Sequence, residues 1–307
     1  MNLAASRPWL SAILLAVLMF LPSSASAGMS PEEVKAFALH KSKADKGDPA
    51  GQYNLGACYF TGEGVAMDKL EAAKWFRKAA EQGDSDALFY LGQCYDFGLG
   101  VSMDKLEAAK WFRKAAEQGN TPAMYSMGSF YESGEGVAKN KVEAAKWFRK
   151  AAEQGYPLAQ GHLGQCYKFG EGVTMNKLEA AKWFRKAAEQ GDSDAQFYLG
   201  SSYVLGEGVA KDKFEAAKWY RKAADQGNPE AQGAIGLFYF AGIGVAKNLV
   251  EAYAYLSLSA ALTVDEQNVR DLLESKLSPE DRLRGQQRTK ALKKEIDSKM
   301  AAKKAGK

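Results

Sequence analysis

The apolar residues of this chain recur at the spacing of α-helices. In the segment EAAKWFRKAAEQG, the pair Trp75 and Phe76 stands three and four residues after Ala72 and three and four residues before Ala79. Because each residue of a helix turns by about 100°, these side chains share one face. A second stripe precedes the next such segment, with members four residues apart: Ala87, Leu91 and Tyr95. The pattern therefore predicts two kinds of amphipathic helix that alternate along the chain.

The two helices form a unit that recurs every 36 residues. Six repeats are predicted, at 48–83, 84–119, 120–155, 156–191, 192–227 and 228–263. The period is marked by five tryptophans and one tyrosine: Trp75, Trp111, Trp147, Trp183, Trp219 and Tyr255. A single helix pair cannot bury its apolar faces, so the repeats must stack. We expect the tryptophan row to lie in the core.

Signals for helix boundaries agree with this division. Asp68 and its equivalents are N-cap residue types, and Glu71 three residues later completes the pattern of a capping box. Gly83 and its equivalents stand where the second helix ends. Between the helices the loop reads GEGV, GLGV or GIGV, which favours a tight reversal. Gly92 and its equivalents predict a close approach of the two helices.

Both ends of the array depart from the repeat. Residues 28–47 are predicted to form an N-terminal capping helix, and residues 264–297 a pair of C-terminal capping helices. These last helices would cover the sixth repeat, which is unusually apolar from 253 to 262. Lysines dominate residues 298–307, for which we predict a disordered, solvated tail.

The first 27 residues resemble a targeting segment. Arg7 precedes an apolar run at 9–21, and the small-residue pattern of a cleavage site follows at 25–27. The run is shorter than the roughly 20 residues that a membrane span needs. We therefore predict a cleaved signal peptide at 1–27, no stable membrane span, and a mature protein that is periplasmic or secreted.

Composition adds few constraints. Of 307 residues, 46% are hydrophobic and 25% charged, and the formal net charge of +4 is small. Basic residues of the second helices alternate with glutamates, so no basic stripe predicts nucleic-acid binding.

Three cysteines, Cys58, Cys94 and Cys166, share one position of the repeat. Equivalent helices lie roughly 8–10 Å apart, too far for a disulfide, so we expect buried free thiols.

The motifs of the repeat resemble a known family. The succession A-x-x-x-L-G-x-x-Y, G-x-G-V and EAAKWFRKAAEQG over about 48–263 is similar to the Sel-one-like repeat (SLR), a relative of the tetratricopeptide repeat. The resemblance implies an all-α fold: a right-handed α/α superhelical solenoid of six helix-turn-helix repeats with helical caps, whose first helices line the concave face. It also implies scaffold or adaptor work, including envelope signalling and host contact in bacteria. It does not identify a partner.

Differences among the repeats fall on one face of the first helix. They occur at its third, sixth, seventh, tenth, thirteenth and fourteenth positions, within roughly 120° of one another and opposite the Ala-Leu-Tyr stripe. We predict that this face binds a protein or peptide through aromatic anchors, amides and single charges. The candidate ligand-binding residues are Tyr53, Phe60, Phe89, Gln93, Asp96, Tyr125, Glu132, Gln165, Lys168 and Phe197. Alternatively, the sixth-position aromatics pack against the next repeat, and Gly161 and Gly233 at that position leave gaps in the packing.

Catalysis is not predicted by any arrangement in the sequence. His40 and His162 are the two histidines, and HExxH, P-loop and GxSxG patterns do not occur. We expect no enzyme activity, no catalytic residue, no cofactor, no metal, and a monomer whose partner is a protein or peptide in the cell envelope or outside the cell. An alternative function, β-lactam binding or hydrolysis, is implied by the cysteine-rich secreted branch of the family. That branch has paired cysteines in each repeat, whereas each cysteine here stands alone in its repeat.

Overall fold

The computed structural model describes residues 29–259 and 263–305, and the regular secondary structure in these ranges is helical throughout. The all-α class and the helix-pair repeats are thereby confirmed. The signal peptide predicted at 1–27 lies outside the described residues. The chain divides into two compact units, Met1–Asn120 and Thr121–Lys307.

The first unit contains a leading helix and two helix pairs. Within the described residues its helices are α1 (Pro31–Asp45), α2 (Pro49–Thr61), α3 (Lys69–Glu81), α4 (Ser85–Phe97) and α5 (Lys105–Glu117). Each helix packs against the next one in the chain. Helix α1 packs on α2 as the second helix of a preceding repeat would.

The second unit contains four helix pairs followed by two further helices. Within the described residues these are α6 (Thr121–Ser133), α7 (Lys141–Glu153), α8 (Pro157–Phe169), α9 (Lys177–Glu189), α10 (Ser193–Leu205), α11 (Lys213–Ala224), α12 (Pro229–Ala241), α13 (Leu249–Leu258), α14 (Val264–Lys276) and α15 (Pro279–Ala305). Consecutive helices pack together up to α14, and α15 packs along α13.

The second helices begin at the predicted N-caps but not with the predicted capping boxes. The Asp68 side chain accepts hydrogen bonds from the backbone N–H groups of Leu70 and Glu71 at 3.0 Å. The Asp68 N–H donates to the Tyr59 carbonyl oxygen at 2.9 Å, so it is not available to the Glu71 side chain. Glu71 instead accepts from Lys74 at 2.5 Å. The same hydrogen bond forms in all six repeats: the backbone N–H of the N-cap residue donates to the carbonyl oxygen of the tyrosine nine residues earlier.

Close approach of the paired helices is confirmed at the predicted glycines. A Cβ atom placed on Gly164 of α8 would lie 2.6 Å from the ring of Phe184 on α9, closer than real side-chain contacts allow. Phe184 is fully buried by this approach. The glycine is therefore required by the packing of two backbones around one ring.

The tryptophan row is largely buried, as expected. Trp111, Trp147 and Trp219 are buried, while Trp75 and Trp183 are half-buried. A lysine three residues further along each helix covers the indole, as with Lys114 Nζ at 4.4 Å from the Trp111 ring centroid. The ammonium groups thus make cation–π contacts with the indole rings.

The C-terminal cap extends further than predicted. Helix α15 continues to Ala305, so the expected end at 297 and the disordered tail from 298 were wrong for the described residues. Residues 298–305 are mostly alanine and lysine, which are strong helix formers, and a glycine follows only at 306. Leu292 and Ile296 of α15 are buried in the second unit. Arg288 of the same helix donates to Glu251 of α13 at 2.8 Å.

Candidate binding surface

The sixth-position aromatics are part of the packing between helices. Each ring lies against the ring of the second helix in its own repeat: the centroids are 6.0 Å apart for Tyr53 and Phe76, 5.7 Å for Phe89 and Phe112, 5.7 Å for Tyr125 and Phe148, and 5.6 Å for Phe197 and Tyr220. Tyr125 is only 4% exposed, and the other three are half-buried.

Contacts to the next repeat also support the packing interpretation. The Tyr53 ring lies 5.7 Å from that of Tyr90, and the Tyr125 ring 5.2 Å from that of His162. Tyr90 and His162 both occupy the seventh position of the following first helix. These seventh-position rings are missing from the predicted site, although they stand on the same variable face. Their role depends on contacts across repeats, which a pattern within one helix does not reveal.

Residues at the thirteenth position differ widely in their surroundings. Phe60 is 5% exposed and is covered by Lys69, whose Nζ lies 3.4 Å from the ring centroid. Asp96 is 6% exposed and accepts from Lys105 Nζ at 2.6 Å. Lys168 Nζ lies 3.7 Å from Glu207, and burial lowers the pKa of its ammonium group. These three side chains are therefore held by the fold.

Glu132, which occupies the same position in repeat three, is not held in this way. It is half-buried on α6 and makes no hydrogen bond or ion pair with another side chain of the described residues. Burial raises the pKa of its carboxyl group, and Glu171 raises it further, while His162, Lys141 and Lys139 act in the opposite direction. A half-buried carboxylate without a partner is costly and is typical of a functional site.

Two departures from the repeat pattern lie in repeat four, the repeat that follows Glu132. Tyr156 replaces the usual aspartate or asparagine N-cap, and α8 consequently has no side-chain cap. Its ring lies 5.5 Å from that of Tyr125. The second departure is Gly161, which has no ring at the sixth position. If a Cβ atom were added to Gly161, the only described atoms within 4 Å of it would belong to Asp192, the nearest at 3.5 Å. We call Tyr125, Glu132, Tyr156, Gly161 and His162 the repeat 3–4 surface.

The remaining predicted residues are less distinctive. Gln93 on α4 and Gln165 on α8 are half-buried, and Gln165 lies one turn before Lys168. At Gly233 the gap is filled by the chain itself, since an added Cβ would overlap the carboxylate of Glu266 from α14. Of the two glycines at the sixth position, Gly161 alone retains space beside it.

The cysteines do not form the pairs that mark the β-lactam-associated branch. Cys58, Cys94 and Cys166 are free and buried, in agreement with the sequence prediction. Burial raises the pKa of the Cys94 and Cys166 thiols to about 12, so they are protonated at neutral pH.

Within 29–259 and 263–305, no three His, Cys, Asp or Glu side chains form a group suited to a metal ion. None of the described helices is both long and apolar enough to cross a membrane.

The fold and its variable first-helix face define a helix-pair repeat scaffold. The chain belongs to the Sel1 repeat family, whose pattern matches residues 49–84, 85–120, 121–156, 157–192, 193–228 and 229–264. The recognition made from the sequence is thus confirmed. Proteins built on this repeat are generally non-enzymatic scaffolds of protein–protein interaction.

Solved structures include several proteins that this chain resembles. A Sel1 repeat protein from Oxalobacter formigenes is 33% identical, with a TM-score of 0.66 over 76% of this chain and 99% of the other. A protective antigen of uropathogenic Escherichia coli strains that displays an SLR fold is 27% identical, with a TM-score of 0.46 over 95% and 85%. Helicobacter pylori cysteine rich protein B is 24% identical, with a TM-score of 0.37 over 45% and 100%. A search of the curated proteins found no match.

Proposed function

We propose that this protein is an exported scaffold that binds a segment of another protein along its first helices, with the repeat 3–4 surface as the centre of contact. The observation that carries the proposal is that several departures from an otherwise near-identical repeat occur in these two consecutive repeats. An unpaired carboxylate, a missing ring and a missing N-cap all lie within repeats three and four.

Each of these departures lowers the stability of the folded chain, which supports the view that they serve binding. Loss of an N-cap side chain costs about 1 kcal/mol. A half-buried, unpaired carboxylate and a missing aromatic contact add to that cost. Positions where a sequence breaks its own local rules without a structural gain are typical of binding sites.

The chemistry of the surface suits a protein segment. The half-buried rings of Tyr156 and His162 both lie against the buried ring of Tyr125, and aromatic side chains are frequent hot spots of interfaces. The space beside Gly161 would admit one side chain of a bound peptide or helix. Scaffolds of this family typically act through such protein contacts, which agrees with the proposal.

Filling the space beside Gly161 is expected to abolish binding while preserving the fold. Gly161→Tyr supplies the ring that Tyr125 supplies in the preceding repeat, and the nearest described atom lies at ordinary contact distance from its Cβ. Affinity capture from an envelope extract of the native host, followed by quantitative mass spectrometry, should show partners held by the parent and lost by the variant.

The matched control is Lys182→Tyr, which places the same ring on the exposed side of α9. Circular dichroism should show that both variants are folded. The control is expected to retain the partners of the parent. Equal capture by Gly161→Tyr and the parent would contradict the proposed surface.

Export is the second part of the proposal and rests on residues 1–27 of the sequence. We expect the protein in the native host to begin near Gly28 and to be recovered outside the cytoplasm. Cell fractionation with N-terminal sequencing measures both properties. A chain that retains Met1 and remains in the cytoplasmic fraction would refute export without affecting the binding proposal.

A further inference from the structure

We infer that Glu132 anchors a basic side chain, a lysine or an arginine, of the bound protein segment. This inference rests on the proposed function and specifies the chemistry of its partner. The arguments are the pairing of the equivalent residues in other repeats, the charges around Glu132, and an internal lysine that occupies the equivalent place one repeat further on.

Asp96 and Glu132 occupy equivalent positions in repeats two and three, but only Asp96 has an ion-pair partner among the described residues. In repeat two, Asp96 accepts from Lys105, which lies nine residues further along the chain, at 2.6 Å. The equivalent lysine of repeat three is Lys141, but its Nζ donates to Glu171 of the next repeat at 2.7 Å. Glu132 is thereby deprived of the partner that its position provides elsewhere.

Charged groups near Glu132 leave its carboxylate uncompensated. Glu171 is engaged by Lys141, and Lys139 and Lys141 act on Glu132 only at a distance greater than an ion pair. The His162 imidazole faces it from α8, with Nδ1 3.0 Å from the Leu158 carbonyl oxygen of its own helix. Burial of an ionised carboxylate is offset when a cation forms a charge-assisted hydrogen bond with it.

The chain itself shows that a cation fits this part of the repeat. In repeat four the thirteenth residue is Lys168, whose Nζ lies 5.2 Å from the ring centroid of Tyr198 and 3.7 Å from Glu207. Tyr198 and Glu207 correspond to His162 and Glu171 one repeat earlier. An incoming ammonium or guanidinium group beside Glu132 would have equivalent neighbours, a ring and a carboxylate, from the following repeat.

Binding through Glu132 should depend on pH in a defined direction. Only the ionised carboxylate attracts a cation, and burial together with Glu171 raises the pKa of this group above the ordinary glutamate value. Affinity should therefore fall on acidification at a higher pH than it would for an exposed glutamate. The opposing influence of His162, Lys139 and Lys141 is included in that net direction.

The test uses three pools of octapeptides: one with a central arginine, one with a central citrulline, which has the same shape without the charge, and one with a central glutamate. The parent should retain the arginine pool about tenfold more than the citrulline pool at neutral pH, since one charge-assisted hydrogen bond is worth that factor. Glu132→Gln should lose this preference, and Glu132→Lys should favour the pool with central glutamate. Asp96→Asn, the matched control in repeat two, should keep it.

The outcomes separate this inference from the proposed function. Equal retention of the arginine and citrulline pools by the parent, with loss of both in Gly161→Tyr, overturns the role of Glu132 and leaves the binding surface intact. Retention of neither pool contradicts both proposals. A Glu132→Gln variant that keeps the arginine preference also overturns the inference. The thermal midpoint of Glu132→Gln should equal or exceed that of the parent at neutral pH, which excludes misfolding as the cause of a loss.

Discussion

A chain that ends at Ser278 is expected to aggregate. Helix α15 covers the apolar sixth repeat: Leu292 and Ile296 are buried, Tyr253 of α13 packs against Gly285, and Arg288 binds Glu251. Each buried aliphatic side chain is worth about 1.5–3 kcal/mol, and a typical domain has only about 5–15 kcal/mol of stability. Removal of α15 would therefore destabilise the second unit and expose a large apolar face.

Light scattering after size exclusion and thermal unfolding measure this effect. A chain that ends at Met300 is the matched control, because it keeps Leu292 and Ile296, and the first two residues that it loses, Ala301 and Ala302, are exposed. The control should remain soluble and unfold near the midpoint of the parent. A soluble protein ending at Ser278 with an unchanged midpoint would show that α15 is not a structural cap.

Gly172→Ala is expected to lower the free energy of unfolding by about 3 kcal/mol or more. Gly172 has φ +71° in the loop after α8, and an added Cβ would overlap the carbonyl oxygen of Lys141 at the start of α7. The variant therefore combines left-handed backbone strain, about 1–2 kcal/mol, with a clash against the backbone of the preceding repeat. The Lys141 carbonyl oxygen cannot move without shifting α7.

Gly191→Ala separates the two contributions. Gly191 has φ +90°, but no described atom lies within 4 Å of an added Cβ. It should lose only the strain, about 1–2 kcal/mol. Urea unfolding of the parent and both variants gives the comparison. Equal losses would mean that the loop around Gly172 yields and that the repeats are less tightly fitted than the structure indicates.

The repeat architecture was accessible from the sequence because it depends on local patterns. The period of the tryptophans, the N-cap residues such as Asp68 and the close-approach glycines such as Gly164 were all predicted correctly. The capping box predicted at Glu71 does not form, because the backbone N–H of Asp68 donates instead to the carbonyl oxygen of Tyr59 on the preceding helix. The disordered tail at 298–307 was predicted from its lysine charges, without regard to the high helix propensity of alanine and lysine.

The candidate site was less accessible because it depends on contacts between repeats. The variable face of the first helix was visible in the sequence, but Asp96 and Glu132 looked alike there. They differ because equivalent lysines bind different groups: Lys105 binds Asp96 of its own repeat, whereas Lys141 binds Glu171 of the following repeat. Tyr156 and His162 were overlooked for the same reason, since their neighbours belong to the preceding repeat.

The near-identical second helices have a consequence for the history of the gene. An in-frame duplication or deletion of 36 codons would add or remove a helix pair whose two faces already match its new neighbours, so the array can change length in one step and still fold. The boundary between repeats three and four is an exception. An insertion there would separate Glu132 from His162 and Glu171, so this junction should stay uninterrupted in descendants that keep the same partner.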